Sequence, residues 1–386
     1  MHSLDAYASA KLDTLARARL KRDLIDTARA PGVLVERNGR SYLSFSCNDY
    51  LNFSHHPAVI AAAHAALDRY GLGAGASRLV TGNHPLYGEL ETRLARLKGA
   101  EACCVFGSGY LTNTGVIPAL VGPDDLIVID ELAHACIFAG SRMSRATVAP
   151  FRHNDVDHAR TLLAEHRAAH PHALLLTDGV FSMDGDLAPL PALGRLAEEF
   201  DAWLMADDAH GIGVLGHGRG STHAHAEPAA VPLQMGTLSK AIGGYGGYLC
   251  ASRPVVELMK SRARTLVYST GLPPPVVAAA IAALDLIEAE PDYAATPVKK
   301  AQLFTRLVGL PDAQSPIVPV VVGETEATLA ASRMLAEEGF LVVPIRPPTV
   351  PPGTARLRLS FTPAHPDSEI ERLAALVRHR VLGKVP

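Results

Sequence analysis

The sequence predicts an α/β fold: a mostly parallel central sheet covered by helices, followed by a small C-terminal α+β lobe. Three observations predict it. Between about residue 100 and 250, short apolar runs alternate with helix-length stretches, the pattern of parallel strands joined by helical crossovers. Hydrophobic residues make up 48% of the chain but aromatics only 5%, so Ala, Val and Leu fill the interior, as suits helices layered on a sheet buried on both faces. The 386 residues also exceed the ~250–300 at which one hydrophobic core stops growing, so a second lobe is expected.

The strands expected in the large domain are Ala102–Phe106, Leu126–Asp130, Ala173–Asp178, Trp203–Asp207 and Leu233–Thr237. Between them, Tyr110–Val121, Asp155–Ala169 and Leu190–Phe200 carry apolar residues at helical spacing. Pro273-Pro274-Pro275 opens a further helix, Val276–Glu288, which Glu290-Pro291 ends. Beyond it the order changes to strand Ile317–Val322, helix Thr325–Glu338, strands Leu341–Pro344 and Ala355–Phe361, and a final helix Asp367–Val381. Arg356 and Arg358 alternate with Leu357 and Leu359, as on a half-exposed strand. The expected organisation is an N-terminal helical and extended segment over 1–45, a large α/β domain over 46–287 and a small α+β domain over 288–386.

Composition excludes several functions. Thirty-six Lys and Arg against 39 Asp and Glu give a net charge of −3, with no basic excess for a nucleic-acid backbone. The five cysteines show no C-x-x-C spacing, which argues against a zinc ribbon or a disulfide framework, and Cys103-Cys104 reads as a buried pair of thiols. The loop histidines His217, His223 and His225 lack partners at ligand spacing and read as solvated, so no metal is expected. The N-terminal segment mixes acids with bases and has no apolar targeting core, and Val276–Ile287 is too short to span a membrane. A soluble, cytoplasmic protein is expected.

Function shows at the strand ends. Gly107-Ser108-Gly109-Tyr110, Asp130-Glu131, Asp178-Gly179, Asp207-Asp208-Ala209-His210 and Thr237-Leu238-Ser239-Lys240 each follow a predicted strand. In open parallel sheets, ligands bind beyond the carboxyl ends of the strands, so these groups define one pocket. Gly107-Ser108-Gly109 opens a helix whose free N–H groups suit a phosphate. Gly71-Leu72-Gly73 follows a helical run and is no dinucleotide fingerprint. One phosphate site, one lysine and a strand-end aspartate suggest pyridoxal 5'-phosphate, which needs a lysine for its Schiff base and a carboxylate at its pyridine nitrogen. Asp207 ends the buried strand and is the better carboxylate; Asp208 points to the opposite side and reads as structural.

At these residues the sequence resembles the α-oxoamine synthases, pyridoxal-phosphate enzymes of transferase fold type I. Asp207-Asp208-Ala209-His210-Gly211, Gly236-Thr237-Leu238-Ser239-Lys240, Cys47-Asn48-Asp49-Tyr50-Leu51 and Val180-Phe181-Ser182-Met183-Asp184-Gly185-Asp186 carry the resemblance. Asn52 stands where that family commonly has glycine. The resemblance implies that Lys240 holds the cofactor and acts as base, that Asp207 meets the pyridinium, and that His134 stacks on the ring. It assigns Ser182 and His210 to the phenolic oxygen. Gly109, Tyr110 and Thr237 are assigned to the phosphate, with Thr270 from a neighbouring subunit of a homodimer.

Ile345-Arg346-Pro347-Pro348-Thr349-Val350-Pro351 most resembles the family members of biotin biosynthesis. These condense L-alanine with a pimeloyl thioester carried on CoA or on acyl carrier protein. Arg346 is the expected ligand of the amino-acid carboxylate, with Arg356 and Arg358 as competitors, and Asn48 and Thr349 are expected nearby. Arg22, or Lys21 beside it, is the expected contact of the acyl substrate. The alternatives are a glycine-using acetyltransferase of the family and a catalytically silent scaffold subunit, although the latter would be expected to lack Lys240.

Overall fold

The computed structural model describes residues 2–17, 20–227 and 229–383. A seven-stranded sheet runs in the spatial order Ala102–Phe106, Gly247–Ala251, Leu233–Thr237, Trp203–Asp207, Ala173–Asp178, Leu126–Asp130, Thr147–Phe151. All neighbours are parallel except Gly247–Ala251, which is antiparallel to the strand on each side. The other six strands therefore end on one edge of the sheet, and the polar groups named above gather there.

The five expected strands form because both faces of each are covered, which is why they read as unbroken apolar runs. Successive residues alternate between faces: Cys103 and Val105 pack with Leu90, Leu94 and Ile281, whereas Cys104 and Phe106 pack with Ile117, Leu176 and Met235. The two adjacent thiols are thus buried on opposite faces of one strand. Thr147–Phe151 and Gly247–Ala251 were not expected as strands. The first carries Pro150 and lies at the sheet edge, where a missing N–H is tolerated. The second begins in a glycine-rich approach, Gly243-Gly244-Tyr245-Gly246-Gly247.

Helix Pro274–Ala289 belongs to the large core through Val277, Ile281 and Leu284. Helix Pro291–Val308 instead packs through Ala301, Phe304 and Val308 into a separate core with Val320, Leu357, Phe361 and Leu373. Phe45 joins that second core, and Arg40–Ser44 pairs in parallel with Phe340–Leu341, so the extended part of the N-terminal segment is built into the small lobe. Helix Ser3–Arg17 has no buried residue.

In the small lobe, Ala355–Ser360 lies between Ile317–Gly323 and Val343–Ile345. This strand is not half-exposed as its alternation implied. Its central position and the large domain beneath it leave Arg356 only 5% and Arg358 only 7% exposed. The loop histidines also depart from expectation: His217 is exposed, but His223 and His225 are half-buried.

Candidate active site

Two adjoining cavities open at the polar edge of the sheet, and His134, His210 and Lys240 stand in the walls of both. The first, of about 280 Å³, is lined by Ser108, Gly109, Tyr110, Asp178, Asp207 and Thr237 among others. The second, of about 240 Å³, is lined by Ser46, Asn48, Ser182, Met183, Val343, Ile345 and Arg358.

The phosphate-like end of the first cavity is the start of helix Gly109–Leu120. Ser108 caps it by accepting the Leu111 N–H, and the first turn points free donors at the cavity. A Cβ at Gly109 would stand 3.2 Å from the Met235 methyl and 3.4 Å from Thr237, so glycine keeps this cradle open. The Thr237 hydroxyl lies 2.8 Å from both the Ser239 hydroxyl and the Gly246 carbonyl oxygen.

At the other end, Asp207 is 6% exposed and, among the described residues, its carboxylate accepts hydrogen bonds from neutral donors only, the Asn113 amide at 2.8 Å and the Ala209 N–H at 3.0 Å. A buried carboxylate without a cationic hydrogen-bond partner suits a protonated ring nitrogen. Its neighbour Asp208 faces away and pairs at 2.5 Å with Lys98, both fully buried. Burial, then the Asp207 charge, push the Asp178 pKa well above the usual carboxyl range, and Asp178 accepts the His134 N–H.

His134 caps helix Ala135–Ser144, and its Nδ1 lies 2.8 Å from the Cys136 sulfur. Burial pushes that thiol up to about 12, so it is a hydrogen-bonding group rather than a nucleophile. Burial also lowers the His134 pKa, with Lys240 adding to the effect and Asp207 opposing it. The Lys240 ammonium falls to about 8, because burial outweighs the attraction of Asp207 and Asp178. His210 is drawn well below its ordinary value, first by burial and then by Lys240 and Arg358.

Arg358 lines the second cavity. It donates to the Ser182 carbonyl at 2.5 Å, to the Asn48 side-chain oxygen at 3.2 Å and to the Tyr50 hydroxyl at 3.4 Å. Arg356, two residues back on the same face, is committed to an ion pair with Asp184. Arg346 is half-buried and lines neither cavity, and Thr349 is exposed. Of the three competing arginines, the one in the cavity wall is therefore Arg358, not the expected Arg346. Arg22 and Lys21 are exposed, Lys21 beside Asp23, and neither reaches a cavity wall. Thr270 is exposed, bridges to Ser77 and lines neither cavity.

Sequence reasoning missed Tyr50 and Asn113, which orient His210 and Asp207, and it missed the position of Cys136 beside His134. Helical spacing places Asn113 one turn past the phosphate-like glycine, the one signal that could have marked it. Asn52 takes the left-handed conformation, φ 56°, which asparagine tolerates better than most side chains. The loop thereby keeps a shape that glycine would also give.

The residues present fit pyridoxal phosphate: a helix N-terminus for the phosphate, Asp207 for the ring nitrogen and an amine of lowered pKa between them. The sequence profile of the aminotransferase class I and II family matches residues 40–377. An 8-amino-7-oxononanoate synthase of Beijerinckia indica is 63% identical over 377 residues, 98% of each chain. The serine palmitoyltransferase of Sphingomonas wittichii superposes with a TM-score of 0.91 at 30% identity, covering 100% of this chain and 99% of that one. A high-resolution structure of SPT with PLP superposes with a TM-score of 0.88 at 26% identity, covering all of both chains.

Proposed function

This chain belongs to the class I and II aminotransferase family, and we propose that it is an acyltransferase condensing L-alanine with a pimeloyl thioester to give 8-amino-7-oxononanoate, CO2 and the free thiol carrier, in biotin biosynthesis. One observation carries the reading: Lys240 stands in the wall common to a cavity suited to pyridoxal phosphate and a second cavity faced by Arg358.

Pyridoxal phosphate supplies, when bound, an electron sink for charge developing at the amino-acid α carbon. Gly109, Tyr110 and Thr237 would hold its phosphate, Asp207 would keep the ring nitrogen protonated, and His134 would pack against the ring. Ser182 and His210, in the wall of the second cavity, would be the groups nearest its phenolic oxygen. Arg358 takes the alanine carboxylate in a charge-assisted pair, for which guanidinium geometry is suited, with Asn48 beside it.

Lys240, with a pKa of about 8, is a base near neutral pH and removes the α proton. A bond then forms between the alanine α carbon and the thioester carbonyl carbon. The C–S bond breaks, and the sulfur leaves with its electron pair and takes a proton from solution. The bond from the α carbon to its carboxylate breaks next, CO2 departs, and the electron pair left behind takes a proton from Lys240.

The reading includes a cytoplasmic homodimer with CoA or acyl carrier protein as thiol carrier. Leu79, Val80 and Tyr268 are exposed apolar side chains beside the Ser77–Thr270 bridge, a patch that a second copy would cover. All five cysteines are free, as in a reducing compartment, and no helix among the described residues is long and apolar enough to cross a membrane.

The test is product formation from alanine or glycine with pimeloyl, acetyl or long-chain CoA thioesters. Preference for alanine with the pimeloyl thioester supports the reading; turnover only of glycine with acetyl-CoA overturns it.

A further inference from the structure

We propose that His153 is a cationic positioning residue that clamps the Ser182–Asp186 turn and, through it, braces Arg358 in the substrate cavity. The inference deepens the reading above, on which the substrate role of Arg358 rests.

The ring of His153 lies between two carboxylates. Its Nδ1 is 3.2 Å from an Asp130 oxygen and its Nε2 is 2.8 Å from an Asp186 oxygen. Ionised carboxylates only accept hydrogen bonds, so both ring nitrogens donate, and a ring with two N–H groups is an imidazolium. The Asn154 amide nitrogen, 3.3 Å from Nε2, has the Asp186 and Leu187 oxygens as acceptors for its own protons. A neutral ring would set a lone pair against one carboxylate. Burial alone would lower the pKa, but the two acids raise it to about 10.

Each acid is itself fixed. Asp130 ends a core strand, is fully buried, and accepts the Leu132 and Asn154 N–H groups at 2.8 Å. Asp186 also accepts from the Asn154 side-chain amide at 2.9 Å, while its other oxygen is buried without a hydrogen-bond partner among the described residues. The imidazolium, with Asn154 beside it, thus links the rigid sheet to the turn.

That turn carries the site. It closes on itself through Phe181 N–H to the Asp186 carbonyl and Gly185 N–H to the Phe181 carbonyl, at 3.0 and 2.8 Å. Gly185 has φ 74°, and a Cβ there would stand 2.2 Å from the Ile317 carbonyl oxygen, so the turn tolerates no side chain at that point. The small lobe grips it from the other side: Arg356 pairs with Asp184, and Arg358 donates to the Ser182 carbonyl. His153 supplies the opposing hold from the sheet, and its ring meets Phe181 edge-on at 4.3 Å. Without it, the tie from Asp130 to Asp186 is left to the Asn154 amide alone.

The experiment has two arms on the holoenzyme. In protein with 15N-labelled histidine at about pH 8.5, some two units above the ordinary histidine pKa, the resonance lost in His153→Gln should show both ring nitrogens protonated. A neutral ring at that pH overturns the proposal. In steady state, His153→Gln and Asp186→Asn should each raise the KM for L-alanine by ~10-fold or more, with kcat changed by less than ~3-fold and the cofactor absorbance unmoved. Asp186→Asn leaves the ring and its Asp130 contact in place, which covers the case that His153→Gln does not fold. Altered cofactor absorbance, or a lower kcat at unchanged KM, overturns the positioning role. Wild-type protein that does not turn over alanine defeats the catalytic reading alone, because the charge of the ring is read without substrate.

Discussion

The Tyr50 hydroxyl lies 2.7 Å from Nδ1 of His210, both groups buried. Tyr50 has one proton to give, and the Arg358 guanidinium approaches the same oxygen at 3.4 Å as a donor. When that proton goes to His210 Nδ1, the imidazole carries its own on Nε2, 2.8 Å from the Lys240 amine. An N–H can be received there only by an unprotonated amine, which agrees with the lowered Lys240 pKa. A hydrogen-bonded path therefore runs from the proposed carboxylate anchor to the proposed base.

Tyr50→Phe tests this path. The substitution keeps the buried ring and removes one hydrogen bond to His210. Losing a bond of this kind is worth ~1–1.5 kcal/mol, so kcat should fall roughly tenfold with the cofactor still bound. Steady-state kinetics beside an absorbance spectrum measure both; an unchanged kcat would remove Tyr50 from the path.

The pH dependence of Lys240 has a definite sign. Its ammonium form is not nucleophilic, and its pKa is drawn down to about 8 by burial. In protein stripped of cofactor, the rate of reaction with added pyridoxal phosphate should rise with pH and level off just above about 8. Stopped-flow absorbance reads this rate. A rise continuing to the ordinary lysine range, ~10.4, would contradict it.

Arg358 and Arg346 separate by substitution. Arg358→Lys keeps the charge but loses the planar fork, so the KM for alanine should rise by ~10- to 100-fold, for a loss of ~1.5–3 kcal/mol. Arg346→Lys should change it by less than ~3-fold, since a side chain outside the cavity wall has no such contact to lose. Steady-state KM values for both variants decide between the two arginines.

His365 should make the small lobe acid-sensitive. It is 1% exposed, its Nδ1 accepts the Thr362 N–H at 3.0 Å, and its Nε2 donates to the Ser44 carbonyl at 3.0 Å. Burial lowers its pKa to about 4. A folded pKa below the unfolded ~6.5 gives stability that is full above ~6.5 and lost as pH falls toward about 4, for a total of about 3 kcal/mol. Urea unfolding at pH 7 and pH 5 should show a smaller loss in His365→Gln than in the wild type. His223, also lowered to about 4, leaves part of the loss in that variant.

Lys98 and Asp208 form a pair with a structural duty. Lys98 also donates to the Arg219 carbonyl at 2.6 Å, and Asp208 accepts the Ser221 N–H at 2.9 Å. Lys98→Met would leave a buried carboxylate uncompensated, a cost of ~3–5 kcal/mol. Thermal unfolding should show that loss, while cofactor absorbance of the folded protein stays as in the wild type.

The sheet was legible because strands buried on both faces read as apolar runs, and the pocket because its polar residues follow those runs. What escaped has physical causes. Pro150 disguised an edge strand. Read from the sequence alone, Arg358 stands behind Arg346, because alternation with leucine looks the same on an exposed strand and on one buried under a second lobe. The pairing of Asn113 with Asp207 and of Tyr50 with His210 spans 94 and 160 residues, and no local pattern encodes such contacts.

The central claim is a condensation that loses the alanine carboxylate under the control of Lys240. Carboxyl-labelled L-alanine with pimeloyl-CoA measures it most directly, by counting labelled CO2 against free thiol. We predict about one CO2 per thiol in the wild type, with both abolished in Lys240→Ala. Thiol release without CO2, or the same turnover in Lys240→Ala, would contradict the account.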